Sequence, residues 1–398
     1  MKPPSRTGSV SVVPKVTEES PPPRVGIVGG GQLARMMAES ASQWGLALSV
    51  LASRTDDSAV ATVPHFELGD PNDPAIVTPW AEQCDVVTFD HELVDLDLYA
   101  TLEAAGVLVA PSTAALRFAS SKVYQRETLG AAGVRVPRYV VLRDYNAESI
   151  DAFWNAVGPE LVLKSDRGGY DGRGVVMTST RDDAHDAARE LLEHGAIVLE
   201  EKLLLLAEIA GVVVTGHSGE RRSYPLVHTV QSAGMCVEVR YPLTLDAATH
   251  AEAADLVEKV ASIVNAVGVM AVELFVTERG VILNEVATRP HNSGHWTIEG
   301  CVTSQFENHL RAVAGLPLGD VSALHDHVVM VNVVGSTEPG SLRAALALPG
   351  VHVHDYGKSW RTGRKLGHVT VVGTDSSVRV RAWEGAEALG TSTTRETT

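Results

Sequence analysis

The chain has 398 residues, 44% hydrophobic and 21% charged, which is enough length and apolar mass for two or three soluble globular domains. A net charge of −16 excludes nucleic acid or an anionic membrane as the main partner, so any anion site must be a local basic pocket. No apolar run reaches the roughly 18 residues of a membrane span, and Cys84, Cys236 and Cys301 have neither metal-ligand spacing nor a disulfide pattern; both features point to a reduced, cytoplasmic setting.

Residues 1–23 are rich in Pro, Ser and charge and read as a disordered leader. From Arg24 the pattern changes. Strands are predicted at 25–28, 47–51, 86–89 and 107–109, with helices from Gln32 and over 96–105. Strands alternating with helices predict an α/β unit with an open, mostly parallel sheet. Gly29-x-Gly31-x-x-Ala34 fits the dinucleotide fingerprint, which aims backbone N–H groups and a helix start at an anion. The second strand runs into Ala52-Ser53-Arg54, with no acid to hold a ribose. NAD is therefore disfavoured, Arg54 leaves an NADP-binding oxidoreductase open, and a plain tight turn fits equally well.

A helix over 113–129 carries Arg117 and Lys122. The strand at 161–164 ends in Lys164 and runs into a glycine-rich loop and a second strand at 175–177. No Gly-Lys-Ser/Thr enters a helix, so this is not a Walker loop. Four glycines in seven residues beside a strand-end lysine favour a lid over phosphates rather than a plain hairpin. After a helix at 182–194, the strand at 196–199 leads into Glu200-Glu201-Lys202-Leu203, a connector suited to pairing its backbone with a purine edge. Glu208 lies beyond it, where a carboxylate can hold a ribose diol. On residue type alone, the adjacent acids read more simply as a solvated strand end.

From Val212 the chain is β-rich, apart from an amphipathic helix over 247–267. A hairpin at 269–276 and 281–286 turns at Gly280 and carries Glu273 and Glu285, with Asn284 beside them. Converging carboxylates suit Mg²⁺, which takes one or two of them together with nucleotide phosphates. Next comes Arg289-Pro290-His291-Asn292-Ser293-Gly294-His295-Trp296-Thr297, rich in groups that bind an anion or a sugar. In the tail, Lys358, Arg361, Arg364 and Lys365 put four cations within eight residues, as either a solvated basic loop or a second phosphate clamp.

Taken in order, these motifs closely resemble the N5-carboxyaminoimidazole ribonucleotide synthetases, a purine-biosynthetic family of the ATP-grasp superfamily. The motifs are the glycine turn, Lys164 with Gly169-Tyr170-Asp171-Gly172-Arg173-Gly174, Glu200 to Leu203, Glu208, Glu273, Asn284-Glu285, the 289–297 run and Gly363-Arg364-Lys365-Leu366-Gly367-His368. The likeness covers about 24–389. It implies an α/β ATP-grasp fold: a Rossmann-like domain at 24–120, a central lid domain at 121–210, and a C-terminal domain at 211–398 with a small β-rich end. It also implies ATP and Mg²⁺, bicarbonate and 5-aminoimidazole ribonucleotide as substrates, carboxyphosphate as intermediate, and a homodimer. A related ATP-grasp ligase, such as formate-dependent glycinamide ribonucleotide transformylase, is the nearest alternative.

Residue by residue, the resemblance places Arg117, Lys164, Gly169, Tyr170, Asp171, Gly172, Arg173, Gly174 and Val175 around the nucleotide phosphates. It places Glu200, Glu201, Lys202 and Leu203 at adenine, Glu208 at the ribose, Gln231 and Asn284 in the nucleotide site, and Glu273 and Glu285 on Mg²⁺. Glu92, Tyr170, Arg173, Arg289, His291, Asn292, Ser293, Lys358, Arg364 and Lys365 map to the ribonucleotide site. Of all these, Tyr170, Asp171, Arg173, Arg289, His291 and Asn292 fall nearest the reacting atoms. The chain departs from the family pattern at Gln231 (often His), Ala233 (usually Asp), Ala207 and Ala210 (Arg and Ser) and Thr215 (Arg).

Overall fold

The apolar run Val25–Val28 lacks the alternation of a half-exposed strand, as expected for a strand covered on both faces. In the computed structural model, which describes residues 23–168 and 174–395, this strand is fully buried. Among those residues the strands form three sheets. The first is parallel, in the order Phe66–Leu68, Leu48–Ala52, Val25–Val28, Val86–Phe89, and a parallel bridge joins Val87 to Val109. The helix Gln32–Ser42 packs Leu33, Met36 and Met37 into its core.

The second sheet is antiparallel, in the order Tyr139–Leu142, Ile197–Glu201, Leu161–Ser165, Val175–Thr178. Helices Ala147–Val157 and Arg181–Leu192 cover one face through a core of Ile150, Leu161, Leu163, Ala184, Ala188 and Leu199. Gly169, Tyr170, Asp171, Gly172 and Arg173, between this sheet's strands Leu161–Ser165 and Val175–Thr178 in sequence, lie outside the described residues.

The third sheet has nine strands. Eight run in the order Gly280–Ala287, Gly268–Thr277, Ala207–Thr215, Val227–Ser232, Met235–Tyr241, His327–Val334, Lys365–Gly373, Val351–Asp355; Arg221–Ser223 pairs beside Ala207–Thr215. Helix Ala247–Val264, capped by Asp246, covers one face with Val257, Val260 and Val264. The tail strands extend this same sheet, but they have their own core of Val329, Val331, Val369 and Val371 under helix Val378–Ala388.

Two sequence expectations need correction. The helix expected over 113–129 is two helices, Thr113–Ser120 and Lys122–Ala131. Ser121 breaks them with extended backbone (φ −135°, ψ 112°), and its hydroxyl caps the second helix at Tyr124 N. A boundary at 210/211 would cut strand Ala207–Thr215, which pairs along its whole length with Gly268–Thr277. The chain therefore passes from the lid sheet to the large sheet between 201 and 207. No helix among the described residues is long and apolar enough to cross a membrane.

Candidate active site

The glycine turn is already occupied by the protein itself. Asp90, just past strand Val86–Phe89, accepts from Gly31 N at 2.6 Å and Ala34 N at 3.1 Å. A side chain at position 31 would collide with this carboxylate. The amides that a pyrophosphate would need are thus spent on Asp90. Arg54 is held by Asp56 through two hydrogen bonds of 2.7 and 2.8 Å. The occupied turn argues against the NADP reading. What the turn offers is Gln32, whose Oε1 accepts from Lys358 Nζ at 2.6 Å across 326 positions of sequence.

Glu273 and Glu285 are direct cross-strand partners. A bulge follows Glu273, so Asn284 has no opposite number and faces the same side as Glu285, against the usual alternation. Asn284 accepts from Lys164 Nζ at 3.2 Å and donates to Glu273 Oε2 at 3.4 Å. Burial, then the charges of Glu285 and Glu208, push Glu273 up to about 7. Burial pushes Glu208 up to about 7 as well. No group of three or more His, Cys, Asp or Glu arranged to hold a metal occurs among the described residues. Two crowded carboxylates fit Mg²⁺, which fills the rest of its shell with phosphate oxygens and water.

Beside them lies a buried ion network. Lys164 Nζ sits 2.8 Å from Glu200 Oε2, and Arg126 Nε donates to Glu200 Oε1 at 2.6 Å. Burial alone would raise the Glu200 carboxyl; the two cations outweigh it and hold the group at about 2. Burial pulls Lys164 down, only partly countered by Glu200. Lys122 Nζ lies 3.3 Å from Glu285 Oε2. In sequence Lys122 shows only as a helix cation, and Arg126 belongs to no motif. The available signal was the helix face 122, 125, 126, 129, where long polar chains occupy positions that also carry Leu129 into the core.

The connector after this strand needs a different account. The Glu200 side chain is committed to Arg126 and Lys164, Glu201 to Arg279 (2.8 Å) and Arg138 N (2.8 Å), and Lys202 to Glu160 (2.6 Å). A purine edge is left with backbone groups toward Leu203, beside the exposed Leu204 and Leu206. Arg117 stacks over the Tyr124 ring at 4.5 Å. Gly174 accepts from Ser165 N at 2.8 Å, and Val175 pairs with Lys164 across the lid hairpin.

The 289–297 run reaches both ways. Arg289 grips Glu92 of the N-terminal unit through Nε (2.6 Å) and Nη2 (3.2 Å). Burial opposes ionisation of Glu92, but Arg289 prevails and holds it at about 2. His291 Nε2 lies 3.7 Å from Glu273 Oε1. Burial, with Arg289 and Lys365 adding to it, pulls His291 down to about 4, so the ring is neutral near pH 7. Its Nδ1 meets Ser293 Oγ at 2.9 Å, at the start of the short 3₁₀ turn Asn292–Gly294.

The basic tail splits. Lys358 faces the glycine turn through Gln32, with its ammonium 5.4 Å from the Tyr356 ring centre. Arg364 donates to Ser359 Oγ at 2.8 Å. Lys365, one residue on, acts electrostatically on Glu273 and His291, lowering the pKa of both. Gln231 stands opposite Cys236 at a bulge; burial pushes that thiol up to about 12, and the charges of Lys365, Glu273 and Glu208 reach it. Ala233 turns the adjoining hairpin with a left-handed φ of 49°.

Residues 23–120 match the ribonucleotide synthetase preATP-grasp domain, 127–306 the ATP-grasp domain, and 328–381 the phosphoribosylaminoimidazole carboxylase C-terminal domain. The chain is 45% identical over 365 residues to the N5-carboxyaminoimidazole ribonucleotide synthase of Mycobacterium bovis, covering 89% of this chain and 84% of that one. It is 38% identical to the Corynebacterium ammoniagenes protein of the same name, covering 90% of each. Among solved structures, it superposes with a TM-score of 0.84 on the Aspergillus clavatus synthase in complex with ADP and 5-aminoimidazole ribonucleotide (31% identity, 92% of this chain, 98% of that one). The Thermus thermophilus synthetase gives 0.85 (30% identity, 94% and 100%).

Proposed function

The chain belongs to the N5-carboxyaminoimidazole ribonucleotide synthase family of ATP-grasp ligases, and from that premise we propose that it carboxylates the exocyclic amine of 5-aminoimidazole ribonucleotide with bicarbonate, using ATP. The observation that carries the reading is the reach of the 289–297 run. It touches the carboxylate Glu273 through His291 and the N-terminal unit through the Arg289–Glu92 pair, which supports reading it as the link between nucleotide and ribonucleotide.

Bicarbonate is a weak electrophile and must be activated. One of its oxygens attacks the γ-phosphorus of ATP, the bond to ADP breaks, and carboxyphosphate forms. Phosphoryl transfer of this kind needs alignment and charge neutralisation rather than a covalent catalyst. Mg²⁺, which Glu273 and Glu285 would hold, neutralises phosphate charge when bound. Lys164 and Lys122 add positive charge beside those carboxylates, and Asn284 fixes Lys164 against Glu273. The substrate amine then attacks the carbonyl carbon, phosphate leaves, and a proton is lost from nitrogen. His291 is neutral and can take that proton. Its ring is oriented by Ser293. Tyr170 and Asp171, the other candidates for the proton, lie in the lid outside the described residues. Lys358 and the Gln32 end of the glycine turn would clamp the distal 5′-phosphate.

The test is ADP release with each substrate omitted in turn. The reading requires ADP formation that depends on both the ribonucleotide and bicarbonate. Turnover with formate and glycinamide ribonucleotide instead would overturn it. The same reading takes the chain as a homodimer, which light scattering on the purified chain checks.

A further inference from the structure

A buried glutamine outside every role assigned above holds the reactive run in shape. Gln305 opens helix Gln305–Val313, is fully buried, and follows the capping residue Ser304. Its Oε1 accepts from His291 N at 3.0 Å, and its Nε2 donates to His291 O at 2.7 Å. One side-chain amide thus satisfies both backbone groups of a single residue, as a neighbouring strand would. Nε2 also lies 3.0 Å from His295 Nδ1. The backbone of Gln305 donates to Thr297 Oγ1 at 2.9 Å, and that hydroxyl donates to Gly294 O at 2.6 Å. Gly294 leaves the room: a Cβ there would collide with the Gln305 amide.

A backbone of loop type, buried beside charge, needs such partners, because a buried amide or carbonyl left unpaired bears the full cost of its lost hydration. Few alternatives keep the same shape. A main-chain rotation at His291 would swing Nε2 away from Glu273 and pull Arg289 off Glu92. We propose that Gln305 is a positioning residue for the reaction assigned above. By locking the peptide groups of His291, it sets where the imidazole lies against Glu273 and where the Arg289 guanidinium lies against Glu92. The proposal rests on the carboxylation reading, and it predicts a particular failure: phosphoryl transfer continues while carboxyl transfer does not, so the intermediate is lost to water.

The test compares Gln305→Met, which removes both amide hydrogen bonds at similar volume, with Gln305→Glu. Three quantities are read: ADP formed per ribonucleotide carboxylated, kcat against KM for ATP, and amide hydrogen exchange of residues 289–297. For Gln305→Met, carboxylation should fall about 100-fold, the scale of a misplacement of about 1 Å. KM for ATP should stay within about twofold, ADP release should exceed carboxylation, and exchange in the loop should quicken.

Gln305→Glu carries an internal control. Its neutral form keeps one donor and one acceptor, whereas its anion has only acceptors facing His291 O. Relative to wild type, coupling should be near normal on the acid side and decline as pH rises, a trend absent from Gln305→Met. If Gln305→Met does not fold, this profile alone decides. Wild-type coupling in Gln305→Met, or one flat profile for both variants, overturns the proposal. Wild-type protein that forms no ADP in response to the ribonucleotide would instead refute the function. The hydrogen-exchange comparison would still decide whether Gln305 holds the loop.

Discussion

Arg126 Nε donates to Glu200 Oε1 at 2.6 Å, while its Nη2 donates to the carbonyl of Asn284 at 2.6 Å. A single guanidinium therefore ties the lid strand Ile197–Glu201 to the strand that carries Glu285, and Glu200 passes the tie on to Lys164. Arg126 is 2% exposed, so water cannot replace it. Arg126→Met fills the volume but leaves Glu200 short of a partner. It should destabilise the fold by roughly 3–5 kcal/mol, the range for removing one side of a buried ion pair. Urea unfolding checks this, and a change under about 1 kcal/mol would count against the tie.

Glu285→Gln should lose most turnover, because the proposed Mg²⁺ ligand gives up its charge. Near-normal rates at saturating Mg²⁺ would remove Glu285 from that role. Glu273 adds a pH signature. Its carboxyl is raised to about 7 by burial and the neighbouring acids. A proton must leave before the cation binds, so Mg²⁺ affinity should strengthen as pH rises toward about 7 and level off above it. Mg²⁺ titrations of the ATP complex between about pH 5.5 and 8.5 would show this. A flat affinity would argue that Glu273 is no ligand.

Much of this site was legible because its residues lie in short, contiguous motifs. Glu273 and Glu285 stood out as acids in apolar strands, and they prove to be register partners. Asn284 and Glu285 could not both be aimed from periodicity, since a bulge is set by pairing rather than by local sequence. The glycine turn fits two readings in sequence for a related reason. Its amides are filled by Asp90, which lies 59 residues from Gly31, and no local pattern reveals that. Arg126 and Gln305 were silent because each acts through partners far along the chain or through backbone atoms. The break at Ser121 was missed because residue types on either side favour helix; the Asp166 carboxylate, accepting from Ser121 Oγ (2.7 Å) and Val123 N (2.9 Å), overrides that preference.

Ala233 occupies a conformation that suits glycine or asparagine. Ala233→Asn should stabilise the hairpin between Val227–Ser232 and Met235–Tyr241 by about 0.5–1 kcal/mol. Thermal unfolding would read the gain, and a loss would mean that the alanine methyl packs usefully.

The Glu92–Arg289 pair makes acid sensitivity predictable. The folded carboxyl is held at about 2, below its ordinary 4.5, by Arg289. A depressed carboxyl contributes stability above its unfolded value and loses it as pH falls toward the folded one. The contribution, of order 3 kcal/mol, should be complete above about pH 4.5 and fade between about 4.5 and 2. Glu200 behaves in the same way, so the test must separate them. Wild-type and Glu92→Gln proteins unfolded in urea over that window should converge as pH falls. Parallel curves would show that Glu92 is not the titrating group.

The two tail lysines should fail differently, because the structure aims them at different places. Lys358 meets Gln32 at the glycine turn, whereas Lys365 acts on Glu273 and His291. Lys358→Ala removes the charge proposed to clamp the 5′-phosphate, so KM for the ribonucleotide should rise about tenfold or more while KM for ATP holds. An equal rise in both would count against the clamp. Lys365→Ala removes a cation that helps keep Glu273 ionised and His291 neutral. Both groups should then hold protons to higher pH, and the acid limb of the kcat profile should move upward. Steady-state kinetics of the two variants across pH separates the cases. A pH shift in Lys358→Ala without one in Lys365→Ala would reverse the assignment.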